Sequence, residues 1–415
     1  MSDATTIKTS WNVVRIGRSR GGAHESISWG EILNVTTVHY RSRRAALRRV
    51  IFVSLMLLTG APVLAQQVIK IGAVLSLTGV GAGLGVPEKH GALLAEKVIN
   101  QRGGVKGRPI KIIIEDDGSK ADIAKSKAES LIYSEKVTAM IGPSLTASTG
   151  AVASITNGAP MVQIACTGLG PQIELTYKKL FHVLPPQVLN AKALLEYATK
   201  AAKAKRIGVL HDSGYGNVVM AAMKSVADSY AVEFVVTEKF EVGATDVTTQ
   251  AAKVKAANPD LILVIATSPI PFRNAKQIGI KQPILAAVGS SSYEYVKGMG
   301  EFADEIAFAE FLVAEEPLPH QKEFVEMYRK EYGALPKTYE AAGWDAVHIL
   351  AKALEKAGPD ADAEALATAI RGTTQGVLAT YDFAREDMTG IELSSYTYSK
   401  LVKGQFTRLP FVNRK

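Results

Sequence analysis

The side chains that could carry out catalysis or hold a metal ion are few and widely spaced. The seven histidines are His24, His39, His90, His182, His211, His320 and His348. None stands in a His-Glu-x-x-His or other metal-ligand spacing. We also find no Gly-x-Ser-x-Gly elbow and no phosphate loop that ends in Gly-Lys-Ser/Thr. Cys166 has no histidine nearby in sequence that could activate its thiol as a nucleophile. We therefore expect the Cys166 side chain to be buried and to pack as a small apolar group. These observations argue against an enzyme and predict neither a metal nor a cofactor.

A glycine-rich run lies where a dinucleotide-binding loop would be expected. Gly79-Val-Gly81-Ala-Gly83-Leu-Gly85 follows a predicted strand and precedes a predicted helix. The dinucleotide fingerprint requires Gly-x-Gly-x-x-Gly and an acidic residue about 20 positions later, and this run satisfies neither condition. We therefore predict a flexible loop at the carboxyl edge of a parallel sheet, where α/β proteins bind ligands.

Strands and helices alternate from residue 67 onward. Short apolar runs at residues 68–75, 110–114, 137–141 and 160–164 predict buried parallel strands, and residues 87–100 form an amphipathic helix. The pattern restarts near residue 191, and residues 377–381 and 392–402 predict antiparallel strands. Two sets of strand-helix units predict an α/β fold with two doubly wound, Rossmann-like lobes. Proline-rich links, Leu184-Pro185-Pro186 and Glu316-Pro317-Leu318-Pro319, are candidate connections between the lobes.

The first 65 residues have the composition of an export signal. Arginines at positions 41–49 precede an apolar run at residues 50–58, and Gly60-Ala-Pro-Val-Leu-Ala65 follows. The apolar run is too short to span a membrane, which takes about 20 residues. We predict a cleaved signal peptide within an N-terminal extension of residues 1–65, with cleavage after Ala65 and export to the periplasm. Ser42-Arg43-Arg44 leaves the twin-arginine and the general route both open.

The basic residues are concentrated in this N-terminal segment. Residues 1–65 hold nine of the 48 lysines and arginines and three of the 40 acidic residues. The remainder is almost neutral, so we expect no nucleic-acid partner.

Ordered motifs across residues 67–400 resemble the leucine/isoleucine/valine-binding proteins of ABC importers. They include Ile69-Lys-Ile-Gly-Ala73, Gly103-Gly-Val-Lys-Gly107, Ile141-Gly-Pro143, Asp212-x-x-Tyr215-Gly216 and Gly343-Trp-Asp-Ala346. The resemblance implies a type I periplasmic binding protein fold, with three crossovers and a ligand in the cleft between lobes. It places residues 66–184 and 316–388 in lobe one, and residues 185–315 and 389–415 in lobe two. It also implies an inner-membrane ABC permease and its ATPase as partners, and we expect a monomer.

The resemblance further implies the residues that contact the ligand. Gly142-Pro143-Ser144-Leu145-Thr146 stands at the start of a helix, where hydroxyls and free amides favour a carboxylate. The implied ligand-binding residues are Leu84, Ser144, Thr146, Ser148, Ala165, Thr167, Tyr215, Thr267 and Val288.

The position that carries the family's amine-binding acid holds Val288 here. The sequence therefore predicts a small organic carboxylate without an α-amino group, an aromatic or aliphatic acid. Glu294 or Ser290-Ser-Ser292 would restore amine binding if they took that place, so a branched-chain or other amino acid, or an amide, is the alternative. An α/β enzyme and a ligand-sensing regulator of the same fold are competing interpretations. No catalytic constellation supports the enzyme, and no signalling domain or spanning helix supports the regulator.

Overall fold

The described part of the chain alternates strands with helices. The structure, a computed structural model, describes residues 67–386 and 389–413, apart from the side chains of Pro171 and Gln172. The predicted signal peptide and its cleavage point after Ala65 lie outside these residues. No helix of the described ranges is long and apolar enough to cross a membrane.

The strands and helices are numbered in chain order. The strands are β1 (Ile69–Leu75), β2 (Ile110–Asp116), β3 (Ala139–Ile141), β4 (Val162–Ala165), β5 (Leu180–His182), β6 (Arg206–Asp212), β7 (Glu233–Phe240), β8 (Leu261–Ile265), β9 (Ile284–Ala286), β10 (Ala307–Glu310), β11 (Thr373–Gln375), β12 (Thr380–Asp382), β13 (Thr397–Val402) and β14 (Gln405–Arg408). The α-helices are α1 (Ala82–Gln101), α2 (Ala121–Glu129), α3 (Thr146–Gly158), α4 (Pro171–Glu174), α5 (Gln187–Glu196), α6 (Tyr215–Val226), α7 (Thr248–Ala256), α8 (Ile270–Gln277), α9 (Tyr293–Met299), α10 (Lys322–Tyr332), α11 (Thr338–Ala357) and α12 (Ala363–Ile370).

Two large sheets form the centres of two lobes. The first sheet has the order β2-β1-β3-β4-β5, and all its strands are parallel. The second has the order β14-β13-β10-β9-β8-β6-β7, in which β13 is antiparallel to both of its neighbours, β10 and β14. Its five parallel strands repeat the order of the first sheet. The doubly wound two-lobe fold predicted from the sequence is confirmed.

The chain crosses between the lobes three times. It leaves the first lobe after β5 and returns after β10. The return is seen in α11, which packs along α1 of the first lobe. It crosses again between β12 and β13, which joins the second sheet. The three crossovers expected from the resemblance are therefore present.

Each sheet reverses its strand order at one point, and this point determines where a ligand can bind. The reversal lies between β1 and β3 in the first lobe and between β6 and β8 in the second. A crevice opens there at the carboxyl ends of the two strands, since their connections run to opposite faces of the sheet. The loops after β3 and β8, which carry Ser144 and Thr267, are thereby placed at the two crevices.

The glycine-rich run is helical for part of its length, contrary to the predicted flexible loop. Helix α1 begins at Ala82, five residues before the predicted start. A Cβ atom at Gly85 would lie 2.3 Å from the Ser76 carbonyl oxygen, and one at Gly83 would lie 2.5 Å from the Tyr295 ring. These glycines allow close packing at the first crevice and do not serve as a mobile loop.

The predicted strand at residues 377–381 is wrong in its position. The strand pair consists of β11 and β12, and Val377 and Leu378 lie in the turn between them. Their backbone N–H groups donate to the Asp345 carboxylate at 2.8–3.0 Å, so they cannot take part in a strand ladder.

We expect Gly91→Ala to destabilise the protein by about 3 kcal/mol, because overpacking a rigid contact forces backbone shifts. A Cβ atom at Gly91 would lie 1.8 Å from the Glu340 carbonyl oxygen where α1 meets α11. Gly150→Ala in α3 is the control, since its Cβ would meet no atom within 4 Å. That control should stabilise the protein by about 0.5–1 kcal/mol. Urea unfolding measures both variants, and equal effects would contradict the close helix contact.

Candidate functional site

A small cavity lies between the two crevices. Its volume is about 20 Å³, room for about one water molecule. The residues that line it come from both lobes and from the first crossover: Leu84, Ser144, Leu145, Thr146, Thr167, Gly168, Leu184, Pro185, Asn190, Tyr215, Thr267, Val288, Gly289 and Tyr339. No aspartate, glutamate, lysine or arginine is among these lining residues.

The structure brings most of the predicted ligand-binding residues together at this cavity. Those that line it are Leu84, Ser144, Thr146, Thr167, Tyr215, Thr267 and Val288. Ala165 and Ser148 do not line it. Ala165 is the last residue of β4, and its carbonyl accepts a hydrogen bond from the Val183 N–H at 3.1 Å. Ser148 is buried within α3.

Several lining residues were not predicted from the sequence. Tyr339 comes from the start of α11, far along the chain, and its hydroxyl donates to the Val288 carbonyl at 3.1 Å. Asn190 comes from α5, where it donates to Gln187 and accepts a hydrogen bond from the Tyr396 hydroxyl. Neither residue stands in a recognisable motif. The others are Leu145, Gly168, Leu184, Pro185 and Gly289; Leu184 and Pro185 belong to the proline-rich link identified in the sequence.

Two hydroxyl groups at the cavity have no partner. Thr146 Oγ1 and Tyr215 Oη are shielded from solvent and have no hydrogen-bond partner of good geometry among the described residues. The Gly289 N–H lies close enough to Tyr215 Oη to lower its pKa, but the Tyr215 hydroxyl proton has no acceptor. Buried polar groups are nearly always paired, so an unpaired one needs an explanation. Because both hydroxyls belong to lining residues of one cavity, a ligand that accepts hydrogen bonds would satisfy them together.

The start of α3 favours an anion beside these hydroxyls. Thr146 is the first residue of this helix, and the preceding residue, Leu145, provides no side-chain cap. The first backbone N–H groups of a helix have no intrahelical acceptor and carry a partial positive charge. On the opposite wall, burial raises the pKa of Tyr215, which keeps its phenol a neutral hydrogen-bond donor. Both walls therefore present donors.

The Asp212 carboxylate, which follows β6 in the second lobe, accepts hydrogen bonds from backbone groups. Asp212 Oδ1 accepts hydrogen bonds from the N–H groups of Gly214 and Gly216 at the start of α6. Asp212 Oδ2 accepts from the Thr267 N–H at 3.0 Å. Burial raises the pKa of Asp212, and these hydrogen bonds counteract the rise. Asp212 orders the loop that carries Thr267 and does not line the cavity.

The candidates for restoring amine binding are also engaged elsewhere. Ser290 Oγ donates to the Ala266 carbonyl, Ser291 Oγ donates to Glu310, and Ser292 Oγ accepts from the Tyr295 N–H. Glu294 lines a separate cavity of about 470 Å³. No group of three or more potential metal ligands was found within residues 67–386 and 389–413.

Direct contacts hold the lobes against each other around the cavity. The Tyr295 hydroxyl in the second lobe donates to the Val80 carbonyl in the first at 2.9 Å. The Tyr295 ring also packs over Gly83, and Tyr339 bonds to Val288 on the other lobe. This arrangement is closed, and a cavity of this size can admit an organic molecule only if the lobes separate.

A periplasmic binding protein family model matches residues 68–395. This chain belongs to the periplasmic binding protein family. The match covers both large sheets apart from β13 and β14. Together with the relatives described next, it confirms the resemblance to the leucine/isoleucine/valine-binding proteins.

Individual relatives of this periplasmic binding protein agree with the family. The leucine-, isoleucine-, valine-, threonine- and alanine-binding protein of Pseudomonas aeruginosa is 26% identical over 316 residues, 75% of this chain and 84% of the relative. The branched-chain amino acid transporter substrate-binding protein LivJ of Streptococcus pneumoniae, solved with isoleucine, is 25% identical with a TM-score of 0.74, covering 83% of this chain and all of that one. An extracellular ligand-binding receptor of Rhodopseudomonas palustris is 25% identical with a TM-score of 0.75, over the same shares.

Proposed function

We propose that this protein is the periplasmic substrate-binding component of an ABC importer, and that its ligand is an aliphatic amino acid. The observation that carries the proposal is the pair of unpartnered hydroxyls, Thr146 and Tyr215, in a cavity between two lobes. The names of the relatives favour an amino acid over the acid without an amino group that the sequence predicts. We therefore replace the carboxylate without an α-amino group, which the sequence predicts, by its alternative, an amino acid.

The ligand carboxylate is held at the start of α3. Thr146 Oγ1 and the free N–H groups of the helix donate to it from one side, and Thr167 lies in the neighbouring loop after β4. Hydrogen bonds to a charged acceptor are worth about 1.5–3 kcal/mol each.

The rest of the lining suits an aliphatic side chain. Leu84, Leu145, Leu184, Pro185 and Val288 surround the cavity with apolar groups. Burying one leucine-sized side chain contributes about 1.5–3 kcal/mol. The aliphatic part of the ligand therefore contributes about as much as one carboxylate hydrogen bond.

An acid without an ammonium group is a second candidate, because no acidic side chain lines the cavity. An ammonium taken out of water without an anionic partner costs several kcal/mol. For an amino acid this cost is reduced only by neutral acceptors, such as lining carbonyl and hydroxyl oxygens.

We expect leucine to bind more tightly than 4-methylpentanoate, the same molecule without its ammonium group, which requires the lining carbonyl and hydroxyl oxygens to offset the cost of desolvating the ammonium. Calorimetry of the mature protein against leucine, isoleucine, valine, alanine and threonine, with 4-methylpentanoate and benzoate as matched acids, measures the difference. Tighter binding of the simple acids would establish the second candidate. Failure of all these compounds to bind would contradict both.

The remaining assignments follow from the importer role. The protein binds its ligand without chemical change and delivers it to an inner-membrane permease served by an ATPase, and it acts as a monomer. Closure bends the chain near Leu184–Pro186, near Glu316–Pro319 and near residues 386–390, with lobe one as residues 66–184 and 316–388 and lobe two as the rest of the mature chain.

A further inference from the structure

A buried carboxyl group stands directly behind the cavity. Glu88 in α1 is completely buried, and its Oε2 lies 2.5 Å from Ser144 Oγ. Ser144 lines the cavity and contacts Glu88, whereas Glu88 itself is not among the lining residues. The other Glu88 oxygen, Oε1, is shielded from solvent and has no partner among the described residues.

The hydrogen-bonding capacity of Ser144 allows two arrangements. A serine hydroxyl has one proton to donate and two lone pairs that accept. One lone pair already accepts from the Ser76 N–H at 3.1 Å. If Glu88 is ionised, Ser144 must donate its proton to Glu88, and only a lone pair faces the cavity. If Glu88 is neutral, its own O–H occupies the second lone pair, and the Ser144 proton is free to point into the cavity.

We propose that Glu88 is a neutral acid that donates its proton to Ser144 Oγ, and that Ser144 in turn donates to an anionic oxygen of the ligand. Glu88 is thus a positioning residue that acts through Ser144. This proposal rests on the proposed function to the extent that the ligand carries a carboxylate. It deepens that function by making Ser144 a specificity-determining donor for the anion.

The surroundings of Glu88 favour the neutral form. Burial raises the pKa of Glu88 well above its usual value, the hydrogen bond with Ser144 lowers it, and the charges of Asp117 and Glu340 raise it further. Cys166, Tyr295 and Tyr339 are the other titratable groups on which its charge acts. Burial raises the pKa of each of these three, so they stay neutral at neutral pH. A second negative charge so close to a bound carboxylate would also be repelled.

The arrangement couples ligand binding to a proton. Binding a carboxylate stabilises neutral Glu88, so at a pH above the pKa of Glu88 in the free protein a proton is taken up with the ligand. Affinity then falls as the pH rises through that range, by up to tenfold per pH unit. At lower pH, where Glu88 is already neutral, the affinity does not depend on its titration.

Infrared difference spectroscopy tests the proposal, first without a ligand. The wild-type protein minus Glu88→Gln at pH 7 should show the C=O stretch of a protonated carboxyl group. An ionised carboxylate signal in its place that persists after saturating leucine is added would overturn the proposal. The same band should shift in Ser144→Ala, because the acceptor of the Glu88 proton is removed.

Calorimetry with leucine and 4-methylpentanoate tests the donor role of Ser144. Ser144→Ala should weaken both probes by about tenfold or more. Glu88→Gln should bind them nearly as well as wild type and without the proton uptake, because the glutamine amide donates to Ser144 Oγ as neutral Glu88 does. Equal losses in Glu88→Gln and Ser144→Ala would show a purely structural role and overturn the proposal. If neither probe binds but the protonated carboxyl band is present, the proposed ligand class is wrong and the neutral state of Glu88 stands.

Discussion

Thr146→Val is expected to weaken ligand binding by about 10- to 100-fold and to leave the free energy of unfolding unchanged or slightly higher. The valine keeps the size of the side chain and removes a hydroxyl that has no partner in the structure. A hydrogen bond from a neutral donor to a charged carboxylate is worth about 1.5–3 kcal/mol, which sets the size of the loss. Removing an unsatisfied buried hydroxyl takes nothing from the folded protein, so affinity and stability should separate. Calorimetry and urea unfolding of the same preparation measure both quantities.

Ser148→Ala is the matched control for this variant. Ser148 lies two residues further along α3 and is buried, but it does not line the cavity. Its replacement should leave the affinity within about twofold of wild type. A loss in Ser148→Ala as large as that in Thr146→Val would mean that the start of α3 acts through its structure and not through the Thr146 hydroxyl.

The second large effect is expected from Val288→Glu, which should change the ratio of leucine to 4-methylpentanoate affinity by 100-fold or more in favour of leucine. Val288 follows β9 and lines the cavity, at the position where the family resemblance places an amine-binding acid. A carboxylate there would pair with the ligand ammonium and would repel a simple acid. A 100-fold change in the affinity ratio corresponds to a change of about 3 kcal/mol in the difference between the two binding free energies.

Val288→Gln separates charge from size in this test. The glutamine has the same length but no charge, and it should change the ratio by less than tenfold. Because Val288 is 96% buried and its carbonyl accepts from Tyr339, both variants need a thermal-unfolding check. If glutamine and glutamate change the ratio equally, the position does not discriminate by charge.

Local sequence patterns were enough to predict the fold class, because most parallel strands of the sheets are short apolar runs, although β5 was not predicted. The apolar runs that end in Leu75 and Ile141 predict buried strands whose ends lie at one sheet edge. The family resemblance, and not this pattern, implied that residues after the second run, including Ser144 and Thr146, contact the ligand. Most of the candidate site was therefore within reach of the sequence.

The rest of the site depends on contacts between distant segments. Tyr339 reaches the cavity only because α11 packs along α1 and directs its first turn toward Val288 on the other lobe. Val377 and Leu378 fail as a strand because Asp345, more than 30 residues earlier, binds their N–H groups. The role of Glu88 is equally hidden, since one glutamate on an amphipathic helix reads as a solvent-facing residue. Packing between distant segments determines the place of each of these residues. The periodicity of apolar residues in the sequence predicts only local structure, so it could not show these contacts.

The central claim is that the two lobes close on a ligand between them. The closed arrangement leaves about 20 Å³ in the cavity, so the ligand-free protein in solution must open to admit an organic molecule. Small-angle X-ray scattering of the mature protein, with and without saturating leucine, tests this most directly. We predict a larger radius of gyration without leucine and a smaller one with it. An unchanged radius of gyration at a leucine concentration that calorimetry shows to be saturating would contradict the two-lobed clamp.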